Sequence, residues 1–348
     1  MNHTLMHTSL TNVRDYGAKG DGLTDDTLAI RRAIEAAPSP GGVIFFPPGH
    51  YLTTPVFPKN HTTLLGHSAF GYQEQGGAVL SPFKPFQPRL IDLNGKVGVR
   101  LCGLTFHGRD FGEDMNGIYT SRGNAGEQNI VIDGCHIEHF TGSGLAMGEA
   151  HVWCLRHSIF KENRLDGLDA SYSFDGWIID CMFVANGRHG ISLNNSTSVV
   201  GCRIEHNKQG GVAVNRHYGQ HLQFTGNLFC SEFGPAIEIL EGNVRAITMT
   251  GNTFRNSGRA TTGDPTRDCH VRFEGVQGLV FTGNALHVLW CNNPSYGMVL
   301  RKLKDSVVAN NSLFKGAMKA LIHDLGDHEN TVIQSNPGSL KQPDDLES

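Results

Sequence analysis

From about residue 100 onward the apolar positions recur in one phrase: an apolar pair, then Gly-Cys or Gly-Asn, then one residue and a further apolar. It reads Ile132-Asp133-Gly134-Cys135-His136-Ile137, Val200-Gly201-Cys202-Arg203-Ile204, Phe224-Thr225-Gly226-Asn227-Leu228-Phe229 and Met249-Thr250-Gly251-Asn252-Thr253-Phe254. Variants run through Ile179-Asp180-Cys181-Met182-Phe183, Phe281-Thr282-Gly283-Asn284-Ala285-Leu286 and Val308-Ala309-Asn310-Asn311-Ser312-Leu313. The copies stand about 21 to 32 residues apart, the length of one solenoid coil. A second phrase lies between them, a small residue leading an alternating run: Gly117-Ile118-Tyr119, Gly144-Leu145-Ala146, Gly167-Leu168-Asp169, Gly190-Ile191-Ser192 and Gly211-Val212-Ala213. Later copies read Ala236-Ile237-Glu238, His270-Val271-Arg272, Gly297-Met298-Val299 and Ala320-Leu321-Ile322.

Period-two runs broken by Gly and Asn predict two or three short strands per coil, stacked in parallel about 4.8 Å apart. Identical coil positions then form ladders. Cys135, Cys181 and Cys202 are expected in one ladder with Asn227, Asn252 and Asn284, where a small polar residue suits an inward turn. A leucine-rich repeat or a propeller is the competing architecture, but neither the leucine consensus nor the Trp-Asp signature is present.

The first hundred residues differ. Thr24, Asp25 and Asp26 precede Leu28, Ala29, Ile30, Ala33 and Ile34, which predicts an amphipathic helix able to cover the open end of the solenoid. Gly42-Val43-Ile44-Phe45-Phe46-Pro47-Pro48-Gly49 reads as a buried strand ending in a turn. The expected layout is one domain over 1–335, with cap and first strands at 12–50, and a polar tail over 336–348.

Composition supports this picture. Apolar residues make up 39% and charged residues 18%, enough for a core and too few charges for disorder or coiled coil. The 43 glycines follow no collagen period. A net charge of -4 lacks the basic field of a nucleic-acid or membrane-surface binder, and no stretch reaches the apolar length of a membrane span. The first eleven residues carry no basic segment followed by an apolar one, so no secretory leader is expected. A cytoplasmic, phage-borne or leader-trimmed secreted protein all remain open. Several of the eight cysteines repeat at one coil position and are expected as reduced core thiols, and no C-x2-C pair suggests zinc.

Asp15-Tyr16-Gly17-Ala18-Lys19-Gly20-Asp21-Gly22, with Thr24-Asp25-Asp26-Thr27 and the strand ending in Pro47-Pro48-Gly49, resembles the N-terminal signature of pectate-lyase-like proteins. That superfamily includes polysaccharide lyases, polygalacturonase-type hydrolases, uronan epimerases and phage tailspikes. The resemblance implies an all-β, right-handed parallel β-helix with an N-terminal capping helix. Over 162–216, Asn163-Arg164-Leu165-Asp166-Gly167, Ala185-Asn186-Gly187-Arg188-His189-Gly190 and Gly211-Val212-Ala213-Val214-Asn215-Arg216 are similar to successive coils of the alginate (mannuronan) C5-epimerases. This similarity implies that Arg188 lies in a catalytic groove. Where that family carries Tyr-Gly-Phe-Asp-Pro-His, this chain reads Gly142-Ser143-Gly144-Leu145-Ala146-Met147.

The chemistry can also be read from the ladders. In the Gly-led strand the apolar residue points inward, so its successor faces out. The outward column is Tyr119, Ala146, Asp169, Ser192, Ala213, Glu238 and Arg272; two residues on come Ser121, Gly148, Ser171, Asn194, Asn215, Leu240 and Glu274. Such a strip, lined by Asp166, Arg188 and His189, is a floor for a polysaccharide or oligosaccharide, with Tyr119, Asp166, Asn194, Arg216 and Arg272 as binding candidates.

β-Elimination or C5-epimerisation of a uronate needs a base and a cation for the developing charge, roles open to His189 and Arg188, with Asp169 orienting His189 or binding calcium. No cofactor is required by this reading. The alternative for Arg188 and His189 is a solvated turn paired with Asp166. Glycoside hydrolysis or fructosyl-type transfer needs two carboxyls, and Glu238 with Glu274 have a spacing of roughly 8 Å, unless Arg272 simply neutralises Glu238. A non-catalytic, tailspike-like carbohydrate-binding module is the third class. Loops at 106–116, 216–220 and 255–268 are expected to wall the groove or serve homo-oligomer contacts. Trp153, Trp177 and Trp290 are expected in the core.

Overall fold

Strands of consecutive coils pair in parallel throughout, building three sheets of 13, 10 and 13 strands along one axis. The computed structural model describes residues 10–38, 40–67, 77–85, 87–121, 127–258, 264–288, 294–314 and 318–339. Each full coil visits sheet A, a tight corner, sheet B, a variable loop, sheet C and a second loop before returning to sheet A. The coil at 174–193 shows the plan, with strands Phe174–Ile179, Met182–Val184 and His189–Leu193. This is the all-β parallel solenoid that the repeated phrases imply.

The inward residues make the core continuous from coil to coil. Ile118, Leu145, Leu168, Ile191, Val212, Ile237 and Val271 follow one another in sheet C, all fully buried. In sheet B the Phe160–Phe183 and Phe229–Phe254 rings stack at 4.9 Å, close to the strand spacing itself. Trp153 belongs to this interior, whereas Trp177 lies on the outer face of sheet A and is 46% exposed. The core expectation therefore fails for Trp177, because its neighbour Gly176 takes the inward position against the Trp153 ring. Trp290 lies outside the described residues.

Polar ladders close the corners. Between sheets A and B, Asn227, Asn252, Asn284 and Asn311 each pass an Nδ2 hydrogen bond to the Oδ1 of the next, ending on Asn336, at 2.9–3.0 Å. Cys135, Cys181 and Cys202 precede them at the same position, with Ser158 in the intervening coil. The seven described cysteines are free. Between sheets B and C a second amide run joins Asn163, Asn186 and Asn207, and ends on the buried Glu232 carboxylate. Stacked amides satisfy each other and the corner carbonyls, so a turn with no access to water leaves no orphaned group.

The helix Thr27–Ala36 covers the first coil through Ala29, Ile30, Ala33 and Ile34. Leu28, expected on that apolar face, is 62% exposed, because it falls on the opposite side of the helix. Asp26 does not cap the helix with its side chain. Its buried carboxylate instead receives Lys19 N at 2.6 Å and Gly20 N at 3.0 Å, fastening the Gly-rich loop. Gly20 has φ of +60°, and an added Cβ would stand 2.8 Å from the Tyr51 ring, so glycine is required there. At the far end Asn336 and the strand Gly338–Ser339 carry the coil beyond residue 335, and 340–348 lie outside the described residues. Among the described residues no helix is long and apolar enough to cross a membrane.

Candidate functional site

Sheet C carries the polar strip. Cα register runs Asp92, Tyr119, Ala146, Asp169, Ser192, Ala213, Glu238 and Arg272 in an unbroken line across neighbouring strands. Strand alternation alone generates this column, since every inward apolar residue sends its successor to the other face.

Asp166 organises the middle of the strip. It is 1% exposed and lies one coil before His189, at the equivalent position. Its Oδ1 accepts His189 N at 2.9 Å and its Oδ2 accepts Ser192 Oγ at 3.3 Å. Two cationic or titratable groups flank the same oxygen: Arg188 Nε at 3.7 Å and His189 Nδ1 at 3.6 Å. Both separations exceed a hydrogen bond, and buried Nδ1 has no hydrogen-bond partner. The Arg188 side chain is 43% exposed, so its guanidinium is offered to the groove while its base leans on a buried charge.

Asp169 behaves differently from the expectation that it orients His189. Its Oδ1 receives Ser171 N at 3.1 Å and Ser171 Oγ at 2.7 Å, a local turn, while the carboxylate beside the His189 ring is that of Asp166. Asp166 takes that orienting position instead. Asn194 also departs from its predicted role as a surface contact. It is 1% exposed, beneath Asn215, whose Nδ2 reaches past it to Ser171 O at 2.7 Å.

The carboxylate pair further along is already occupied. Arg272 lies 3.4 Å from Glu238, 3.0 Å from Glu274 and 3.2 Å from Asp264, and Arg267 adds a 3.0 Å contact to Glu238. Glu238 and Glu274 do come together, as their offset implies, but around a shared guanidinium. Arg272 is consequently a structural cation, with side-chain exposure of 13%. Asp264 and Arg267 come from the 255–268 loop, which thus folds back onto sheet C; residues 259–263 are outside those described. Arg216 is exposed in the connection from sheet C to sheet A, beside Tyr218.

Tyr119 has a partner that the repeats did not indicate. The Arg89 guanidinium stacks over its ring at 4.5 Å, and Arg89 Nε is held by Asp92 at 2.7 Å. Tyr172, immediately after the Asp169–Ser171 turn, lines a cleft with Tyr119 and Asp169. Tyr172 lies in a connection between sheets, where alternation assigns no face. A cluster on sheet B was missed altogether: His139 contacts Glu162 at 2.9 Å and Asp110 at 3.4 Å, and its ring lies tilted against that of His107 with centroids 4.8 Å apart. Burial, reinforced by His139, lowers the His107 pKa to about 4. Among the described residues no group of three or more His, Cys, Asp or Glu is placed to hold a metal ion.

Two families match the chain. Residues 10–213 match rhamnogalacturonase A/epimerase, pectate lyase-like, and residues 116–336 match the right-handed β-helix region. Mannuronan C5-epimerase AlgE6 of Azotobacter vinelandii is 28% identical over 209 residues, covering 54% of this chain and 23% of that protein. Alginate lyase 7 of the same organism is 26% identical over 207 residues, covering 53% of this chain and 24% of the lyase. The chain thus spans about a quarter of the length of these relatives. The solved A-module of Azotobacter vinelandii AlgE6 superposes with a TM-score of 0.78 at 17% identity, over 95% of this chain and 100% of the module, which shows the shared fold.

Proposed function

The chain belongs to the rhamnogalacturonase A/epimerase, pectate lyase-like family, and on that basis we propose that it acts on a polysaccharide by removing the C5 proton of a uronate residue. The observation that carries this reading is the exposed Arg188 guanidinium and the His189 imidazole sharing the buried Asp166 carboxylate on the groove face of sheet C. Relatives named as a mannuronan C5-epimerase and an alginate lyase support the same class of substrate.

In this mechanism Arg188 holds the uronate carboxylate through paired N–H donors. Asp166 favours the His189 tautomer with its proton on Nδ1, which leaves the Nε2 lone pair as the base. The apo separation of 3.6 Å closes by a small rotation of the imidazole as substrate enters. As the C5 proton passes to Nε2, the electron pair moves into the carboxylate, where Arg188 stabilises it. From this C5 anion, expulsion of the C4 oxygen, which takes its proton from water, gives an unsaturated uronate; alternatively, a proton delivered by water to the opposite ring face gives the C5 epimer. The paired-carboxyl hydrolysis considered for Glu238 and Glu274 receives no support from their shared ion pairing.

Incubation with polymannuronate and polygalacturonate in D2O tests the proposal. Unsaturated ends, or deuterium at C5 without chain cleavage, are expected for the native protein and lost in Arg188→Ala and His189→Ala. New reducing ends without unsaturation, or full activity in both variants, would overturn it.

A further inference from the structure

The outer face of sheet A differs in kind from the other two. Two outward columns cross it in register through seven consecutive coils, one from Trp177 to Val332 and the other from Ile179 to Gln334. Between them Ile178, Phe224 and Phe281 point inward and are fully buried. None of the fourteen outward positions is charged. By contrast, the outward column of sheet B carries Glu138, Lys161, Glu205 and Arg255. That of sheet C carries Asp92, Asp169, Glu238 and Arg272. Alternation does not account for the difference, since it sets which way a side chain points and leaves its type free.

The uncharged strip is also open to solvent. Trp177, Val200, Val280, Val307 and Val332 are 37–46% exposed. Val280, Val307 and Val332 follow one another in adjacent strands, so their apolar surface is continuous, and exposed threonines join it to Val200 and Trp177. A face that stays in water is normally dotted with charges of both signs. Their loss, together with an indole and a run of valines, is the composition of an interface core.

Area and chemistry select the occupant. The strip runs about 29 Å at the usual strand spacing and exposes about 700 Å², so covering it with an identical strip removes about 1,400 Å², within the range of stable interfaces. A second copy brings the same rung spacing, coil against coil, and no charge that would be buried unpaired. A polysaccharide fits less well, because the valine run offers no polar group to its hydroxyls.

We propose that the outer face of sheet A is a dimer interface, in which two copies of this chain pack face to face about a two-fold axis with Trp177 as an aromatic anchor. One face accepts one copy, so association stops at two. The groove on sheet C is a separate face and stays open in both copies. The proposal is independent of the uronate chemistry.

Sedimentation velocity on the whole chain across a dilution series tests it. The native protein should be a dimer that dissociates in the micromolar range. Thr250→Arg, which plants a charge on the middle rung, should weaken association by about 100-fold or more, and Trp177→Ala by about tenfold or more. Thr250→Val should remain dimeric. Both positions are exposed, so thermal unfolding of the diluted variants should match that of the diluted native protein. A native monomer at about 100 µM, a trimer or larger assembly, or a dimer that neither Thr250→Arg nor Trp177→Ala weakens overturns the proposal.

Discussion

Asp166 lies one rung below His189, and a single one of its oxygens serves the His189 backbone N–H at 2.9 Å while standing 3.6 Å from the ring Nδ1. The carboxylate therefore sets both where the residue sits and which nitrogen faces the groove. Asp166→Asn retains an oxygen for the N–H and removes the charge. We expect turnover to fall by about 10²-fold, a typical share for a positioned base, with melting temperature little changed. A fall confined to kcat, with KM and melting temperature unchanged, separates this positioning role from a structural loss.

The Arg272 cluster makes the opposite prediction. Its members are about nine-tenths buried at Glu238, Glu274 and Arg272, so Arg272→Met strands Glu274, leaves Glu238 to Arg267 alone, and should destabilise the fold by about 3 kcal/mol in urea unfolding. Glu274→Gln retains a hydrogen-bond acceptor and should keep most of the activity. Loss of turnover beyond about 10³-fold in a folded Glu274→Gln protein would restore the two-carboxyl mechanism.

Acid should weaken the solenoid earlier than carboxylate titration alone implies. Burial lowers the pKa of His136 from 6.5 to about 4 and of His270 from 6.5 to about 3. Both stay neutral when folded and take up protons on unfolding. Stability is accordingly full above pH 6.5 and falls as pH drops from there toward the folded values, by about 1.4 kcal/mol per pH unit for each histidine. Neither His270 ring nitrogen has a hydrogen-bond partner. His270→Leu should therefore equal or exceed the parent at pH 7 and show a shallower decline by pH 5 in thermal unfolding.

The amide ladder gives a fourth test. Asn252→Ala removes the acceptor of Asn227 Nδ2 and the donor to Asn284 Oδ1 in one change. A loss of roughly 2–3 kcal/mol is expected from chemical denaturation, because the freed groups stay buried. An exposed control, Gln223→Ala, should be near neutral.

Much of this architecture can be read in the chain because period two and a coil-length repeat act on the strands between about 116 and 313. The outward column from Tyr119 to Arg272 follows from that rule alone. Prediction fails where the rule stops acting. Asn194 sits at a strand end, where Asn215 folds over it, and alternation no longer determines exposure. Tyr172 lies in a turn, so its contacts depend on corner geometry. The His107–His139 contact joins coils in which the repeat phrase is not yet regular. Asp26 looks like a helix cap in sequence and serves the neighbouring loop, because the backbone donors of Lys19 and Gly20 compete for it.

The register of sheet C turns the groove into a ruler. The coils that carry Tyr119 and Arg188 are a whole number of strand spacings apart along the axis, three of them, or about 14 Å. A residue change can alter what a rung recognises, but shifting one recognition point against another takes the gain or loss of a complete turn. Excising one coil between them, with its inward ladder left continuous, would bring the aromatic wall one saccharide position nearer the guanidinium and should change which repeat unit is chosen before it changes the chemistry performed.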